Sequence, residues 1–166
     1  MQKLVSLLVL VGLFSFSLMA QDNPKVEVFG GYQYLRLGGD FGGINANGWN
    51  ASLTGNFNKY LGVAGDFSGA YKNSAHLYSY TVGPVVSLNS GGKVNPFVHA
   101  LFGGAPLGGG GASENGFTMM FGGGADAKLS KAIAVRVIQA DWVSYRFSGV
   151  NFNKNVRIST GIVFRF

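Results

Sequence analysis

Apolar and polar side chains alternate along most of this chain with a period of two. That is the spacing of an extended strand whose two faces meet unlike surroundings. The last twelve residues, NVRISTGIVFRF, show it most clearly. Val156, Ile158, Thr160, Ile162, Phe164 and Phe166 share one face, and Arg157, Ser159, Gly161, Val163 and Arg165 the other. Residues 47–57 repeat the pattern, with Trp49, Ala51, Leu53, Gly55 and Phe57 opposite Asn50, Ser52, Thr54 and Asn56. Further alternating stretches cover residues 25–37, 60–71, 77–88, 95–105, 116–127 and 132–145. The connectors are alternately short, as at Asn58-Lys59 and Leu129-Ser130, and longer, as at residues 38–46, 106–115 and 146–153. The pattern predicts an all-β fold, an eight-stranded antiparallel up-and-down β-barrel with short turns at one end and loops at the other. Each strand is long enough to cross a bilayer when tilted.

Charge decides which face points out. A Lys or Arg on the lipid side of a barrel near the bilayer midplane costs about 2–4 kcal/mol. With the apolar faces outward, Asp66, Asp126, Arg157 and Arg165 all turn into the lumen. The seventh strand is the exception. Val135 and Val137 outward with Arg136 inward would swing Asp141 out to lipid, so a β-bulge is expected between Val137 and Asp141. Pro84 is awkward in the fourth strand, because proline donates nothing to a ladder and favours an edge or a bulge. The single most informative pair is Leu53 and Ser52. Leu53 outward and Ser52 inward describes a membrane barrel, and the reverse a soluble ligand-binding one.

An eight-stranded barrel is just wide enough to be filled by its own side chains, and buried charges in it need partners. The expected polar core of the lumen is Glu27, Asp66, His99, Asp126, Arg136, Asp141, Arg157 and Arg165. Folding the hairpins brings Asp126 diagonal to Arg136 and Asp141 near Arg157, and closure brings Glu27 near Arg165. Asp66, without a local cation, is expected to reach across toward Arg136. His99 is expected to be a lone core histidine, and His76 a solvated loop residue. The glycines at 103–104 and 108–111 lack the Lys-Ser/Thr pair and helix of a phosphate loop, so residues 106–115 are expected to be a flexible loop. Gly122-Gly123-Gly124 is expected to mark close packing or strong curvature.

The outward aromatics fall into two groups. Tyr34, Trp49, Tyr71, Tyr78 and Trp142 lie toward the loop ends, and Phe57, Tyr60, Phe164 and Phe166 toward the turn ends. Two such belts are what interfacial anchoring requires.

Composition narrows the setting. There is no Cys, hence no disulfide framework or Cys-based metal site. The net charge of +6 comes from Lys and Arg scattered singly, without the basic run or recognition helix of a nucleic-acid binder. Residues 1–20 read as a cleavable signal peptide: Lys3, an apolar run over residues 4–18, then Ser17-Leu18-Met19-Ala20. Residues 21–166 form a single barrel domain.

Four pieces carry a family resemblance: VEVFGGYQYLR at the start of the barrel, NPFVHALFGGA, FGGGADAKLSKAIAVRVIQADW and the closing RISTGIVFRF. On them the chain resembles the OmpA-type eight-stranded outer-membrane β-barrel family, without the peptidoglycan-binding domain that often follows such barrels. The resemblance implies a monomer in the bacterial outer membrane. It implies contact with outer-membrane lipid, and delivery by the barrel-assembly machinery through a C-terminal signal carried here by Ile162, Phe164 and Phe166. It implies no cofactor, no metal and no catalysis, with a structural or surface-interaction role. Three alternatives remain: a narrow channel for ions or small solutes, a lipid-modifying enzyme, and a soluble periplasmic ligand-binding barrel. The enzyme reading has His99 as its best base, but no Ser lies two residues beyond it.

Overall fold

The computed structural model describes residues 24–38, 42–73, 75–88, 92–109 and 112–166. The signal peptide expected at residues 1–20 lies outside the described residues. Eight strands run in chain order: β1 (Val26–Arg36), β2 (Asn45–Asn56), β3 (Leu61–Lys72), β4 (Ala75–Ser87), β5 (Val94–Gly109), β6 (Ala112–Lys128), β7 (Ile133–Phe147) and β8 (Val150–Arg165). Every neighbour is antiparallel, and β8 pairs with β1 to close the barrel. Leu53 is 55% exposed and Ser52 8%, so the apolar face of β2 is the outer one.

Closure runs from Glu27↔Arg165 to Arg36↔Val156. At the turn end Phe166 N donates to Val26 O (2.8 Å) and Val26 N to Phe166 O (3.1 Å). Midway along this seam Gly31 faces Gly161. A Cβ on Gly161 would lie 2.5 Å from Gly31 Cα, and one on Gly31 2.1 Å from Thr160 O. Only bare backbone lets the strands approach this closely.

The turns are set by local side chains. Asn58 Oδ1 accepts from Tyr60 N (2.8 Å) and Leu61 N (2.9 Å), and Ser130 Oγ from Ile133 N (3.0 Å). The opposite end is less loop-like than expected. β5 and β6 remain paired to Gly109↔Ala112, so the glycine-rich residues 106–115 are mostly hairpin, not flexible loop. β7 and β8 likewise pair to Phe147↔Val150, which reduces the loop expected at 146–153 to Ser148-Gly149, both with positive φ. Gly tolerates the extended pleat as well as a turn, so glycine content alone did not locate the chain reversals. His76 belongs to β4 and not to a loop, and its ring lies over Gly108.

The bulge in β7 falls where charge demanded it. Arg136 pairs with Asp126, whereas Ile138 pairs with the preceding Ala125, which leaves Val137 as the extra residue. Val137 and Ile138 both point outward, and Gln139 and Asp141 return to the lumen. Pro84 needs no such device. It sits opposite Val63, and β4 keeps one register with β5 on either side of it, at Val82↔Phe102 and Val85↔His99.

The lumen is not uniformly polar. The loop-side half holds Leu35, Leu37, Ala46, Ala70, Leu77, Ala105, Val143, Tyr145 and Phe147, all buried and in one apolar cluster. Tyr145 and Phe147 stack at 6.1 Å. The turn-side half is mixed: Ser52, Thr54, Asp66, Asn95, Asp126, Arg136, Gln139 and Arg165 are buried there beside Phe29, Ala64, Val85, Phe97, Ala134 and Val163. The expectation of a hydrophilic interior throughout is therefore corrected. Inward positions near the loops carry oil, and the outer wall there carries Arg36, Asn45, Asn47, Arg146 and Lys154 instead.

Candidate functional site

Below the loop-side half lies a continuous layer of buried polar side chains. Arg157, from β8, is its centre. Nη1 donates to Asp66 Oδ1 (2.7 Å), Nη2 to Asp66 Oδ2 (3.3 Å), and Nε to Asp141 Oδ2 (2.8 Å). One guanidinium thus holds two carboxylates, from β3 across the lumen and from β7 beside it. The planar fork of Arg suits this bidentate role better than the point charge of Lys.

The layer extends both ways. Asn50 Nδ2 donates to Asp66 Oδ2 (2.9 Å). Gln139 Nε2 donates to Asp141 Oδ2 (2.8 Å), while its Oε1 accepts from Arg136 Nη1 (2.7 Å). Arg136 then grips Asp126 with Nε (2.8 Å) and Nη2 (3.1 Å). Its guanidinium carbon lies 4.4 Å from the Phe29 ring and 4.3 Å from the Phe97 ring. Such a sandwich returns part of the lost hydration through cation–π attraction. Nearer the turn rim Arg165 Nε donates to Glu27 Oε1 (2.9 Å).

His99 closes the layer. Its Nε2 lies 2.7 Å from Asp141 Oδ1, although β6 runs between the two strands. The register is His99↔Gly122↔Asp141. Gly122 has no side chain to obstruct them, and a Cβ there would stand 2.2 Å from Asp141 Oδ1. Gly124 similarly lets Phe97 reach over toward Gln139.

The structure thus brings together Asp126 with Arg136, Asp141 with Arg157, and Glu27 with Arg165. The first pair is directly opposed across β6 and β7 and not diagonal, because the bulge shifts the register by one. Asp66 does not reach Arg136; it is taken by Arg157, whose long side chain crosses from β8. His99 is not alone but bound to Asp141. Sequence reasoning placed Asn50 on the inward face of β2 but not in this network, and missed Gln139, which turns inward only beyond the bulge, and the rings around Arg136. The Asp141–His99 contact has the look of part of a catalytic set. However, it is buried, faces the lumen, and includes no serine.

On the outer wall Trp49, Phe57, Tyr60, Tyr71, Tyr78, Trp142, Phe164 and Phe166 are exposed, and Tyr34 half-buried. Three of them are linked: Trp49 Nε1 donates to Tyr71 OH (3.1 Å), which donates to Tyr78 OH (3.4 Å). Ile162 is exposed on the same face of β8 as Phe164. Among the described residues no cluster of His, Asp and Glu could hold a metal ion.

No protein-family model matches the chain, and no curated protein matches it. Solved structures do. Ail, the attachment invasion locus protein of Yersinia pestis, is 22% identical with a TM-score of 0.56, over 87% of this chain and 99% of that one. Neisserial surface protein A is 16% identical with a TM-score of 0.62, over 86% and 97%. The N-terminal β-barrel domain of Pseudomonas aeruginosa OprF is 9% identical with a TM-score of 0.62, over 86% and 98%. At such identities it is the architecture that is shared, and the chain is folded as an eight-stranded antiparallel β-barrel of the bacterial outer-membrane type.

Proposed function

We propose that this protein is a monomeric, integral barrel of the bacterial outer membrane with a closed lumen, and that it serves a structural or surface-interaction role. The observation that carries this reading is the bridge from Arg157 to Asp66 and Asp141, which spans the lumen from wall to wall. A conducting pore needs a continuous wet path, and here ion pairs and oil fill it. The exposed apolar wall, including Leu53, Phe67, Val82 and Ile158, fits lipid and would aggregate in water. The aromatic groups at its ends fit interfacial anchoring. The terminal strand with Ile162, Phe164 and Phe166 suits recognition by the barrel-assembly machinery. Two of the similar barrels are described as an attachment protein and a surface protein, which supports the surface role. The commitment of Asp141 to Arg157, Gln139 and His99 argues against hydrolytic chemistry. Purified protein in a planar bilayer should show no stable unitary conductance; regular single-channel steps would favour the narrow-channel reading instead.

A further inference from the structure

We propose that the permeability barrier of this barrel is the apolar plug in the loop-side half of the lumen, and that the charged layer beneath it is wetted from the turn side. The proposal rests on the closed-lumen reading above and locates the seal within it.

Among the described residues a cavity runs along the turn-side half. It passes from exposed Lys59, by Glu27, Thr54 and Asn95, to Asp66 and His99 in the charged layer. It has room for one or two water molecules. Asn95 is buried, lines this cavity, and finds no protein partner for either Nδ2 or Oδ1. A buried amide left dry is costly, so water entering from the turn end is the partner its chemistry requires. The charged layer is therefore the floor of a blind, hydrated vestibule.

Above the floor large apolar side chains predominate. Leu35 pairs with Arg157 in register, and Val143, Tyr145 and Phe147 follow Asp141 toward the loop end of β7. Ala105 and Leu77 close the far side. Few polar groups are buried in this stretch and most are spent on the protein, Ser68 on Ser79, Ser144 on Asn153 and Asn155 on the carbonyls of Val143 and Phe152, with Thr118 Oγ1 left unpartnered; apolar constrictions block conduction by shedding water. Ion pairs, by contrast, are polar and can hydrate when a neighbouring path opens. The barrier and the charges thus occupy different levels of one lumen.

Two measurements test this. In vesicles holding the barrel in one orientation, Asn95→Cys should react with a membrane-impermeant methanethiosulfonate added on the turn side and not with reagent added on the loop side. Ala105→Cys should react from neither. Reaction of Asn95→Cys from the loop side, or of Ala105→Cys from either, overturns the proposal. In planar bilayers, Leu35→Ser with Val143→Ser should conduct with every ion pair intact. Arg157→Met with Asp66→Asn and Asp141→Asn should stay silent with the plug intact; the opposite pattern sinks the proposal. Conductance of the unaltered protein would instead refute the closed lumen itself. If the serine variant does not fold, the labelling pattern decides alone.

Discussion

Arg157 is the residue on which the interior turns. It is buried, and each of its carboxylate partners comes from a different strand. Removing one member of such a group leaves charges buried without compensation, typically at a cost of about 3–5 kcal/mol. Arg157→Met should therefore lower stability by about that much, read from denaturant midpoints in detergent. Adding Asp66→Asn and Asp141→Asn should recover much of the loss, because no stranded carboxylate then remains. A single variant as stable as the parent would show that the bridge is dispensable. At this scale the sequence was informative about sign and less so about partners. Alternation assigned the buried charges to the inside, and hairpin folding supplied the pairs that are near in sequence. The Asp66–Arg157 contact spans 91 positions and depends on how far strands stagger round the barrel, which local pattern does not encode. The His99–Asp141 contact passes over a glycine, and an absent side chain leaves no positive mark in an alternation.

Among the elements, β7 departs most from regularity. Its extra residue keeps Asp141 in the lumen while Val137 and Ile138 face out. The bulge is legible from charge placement alone, since unbroken alternation would expose a carboxylate to lipid. A deletion pair tests it. Without Val137, the run Arg136-Ile138-Gln139 alternates regularly, so the barrel should still form, shown by slower migration of boiled than of unboiled protein in SDS gels. Without Ala140, unbroken alternation keeps Asp141 inward but turns Ile138 into the lumen and Gln139 out, so the amide that links Arg136 to Asp141 is lost and that mobility shift should disappear at a lower temperature than in the Val137 deletion. Hairpin lengths were harder to read. The β5–β6 arm persists to Gly109↔Ala112, where glycines gave no alternation to follow. The aromatic residues on each strand were legible as outward, but the Trp49–Tyr71–Tyr78 link needed the register of β2, β3 and β4.

For the whole molecule, the outer wall sets the environment that the fold requires. Leu53 lies on the outer face of β2, between Trp49 and Phe57, the residue that follows the strand. Leu53→Arg should cost about 2–4 kcal/mol in a bilayer, the value for a cation near the midplane. The same protein in short-chain detergent should feel less of it, because a micelle lets the guanidinium reach water; equal losses in both would place Leu53 away from the bilayer interior. Strand number, direction and facing were all legible from the period of two. The two-zone lumen was not, because inward Leu and Ala near the loop ends read as noise in an otherwise polar face.

The meeting of Gly31 and Gly161 carries a last consequence. A cylinder zipped from a linear chain has one joint that no hairpin makes for it, and in this protein that joint narrows to two naked peptide backbones. Gly161→Val should wedge it ajar. Each opened molecule would then offer two bare strand margins, which a second opened molecule can satisfy, so light scattering in detergent should report paired or larger species where the parent gives single ones.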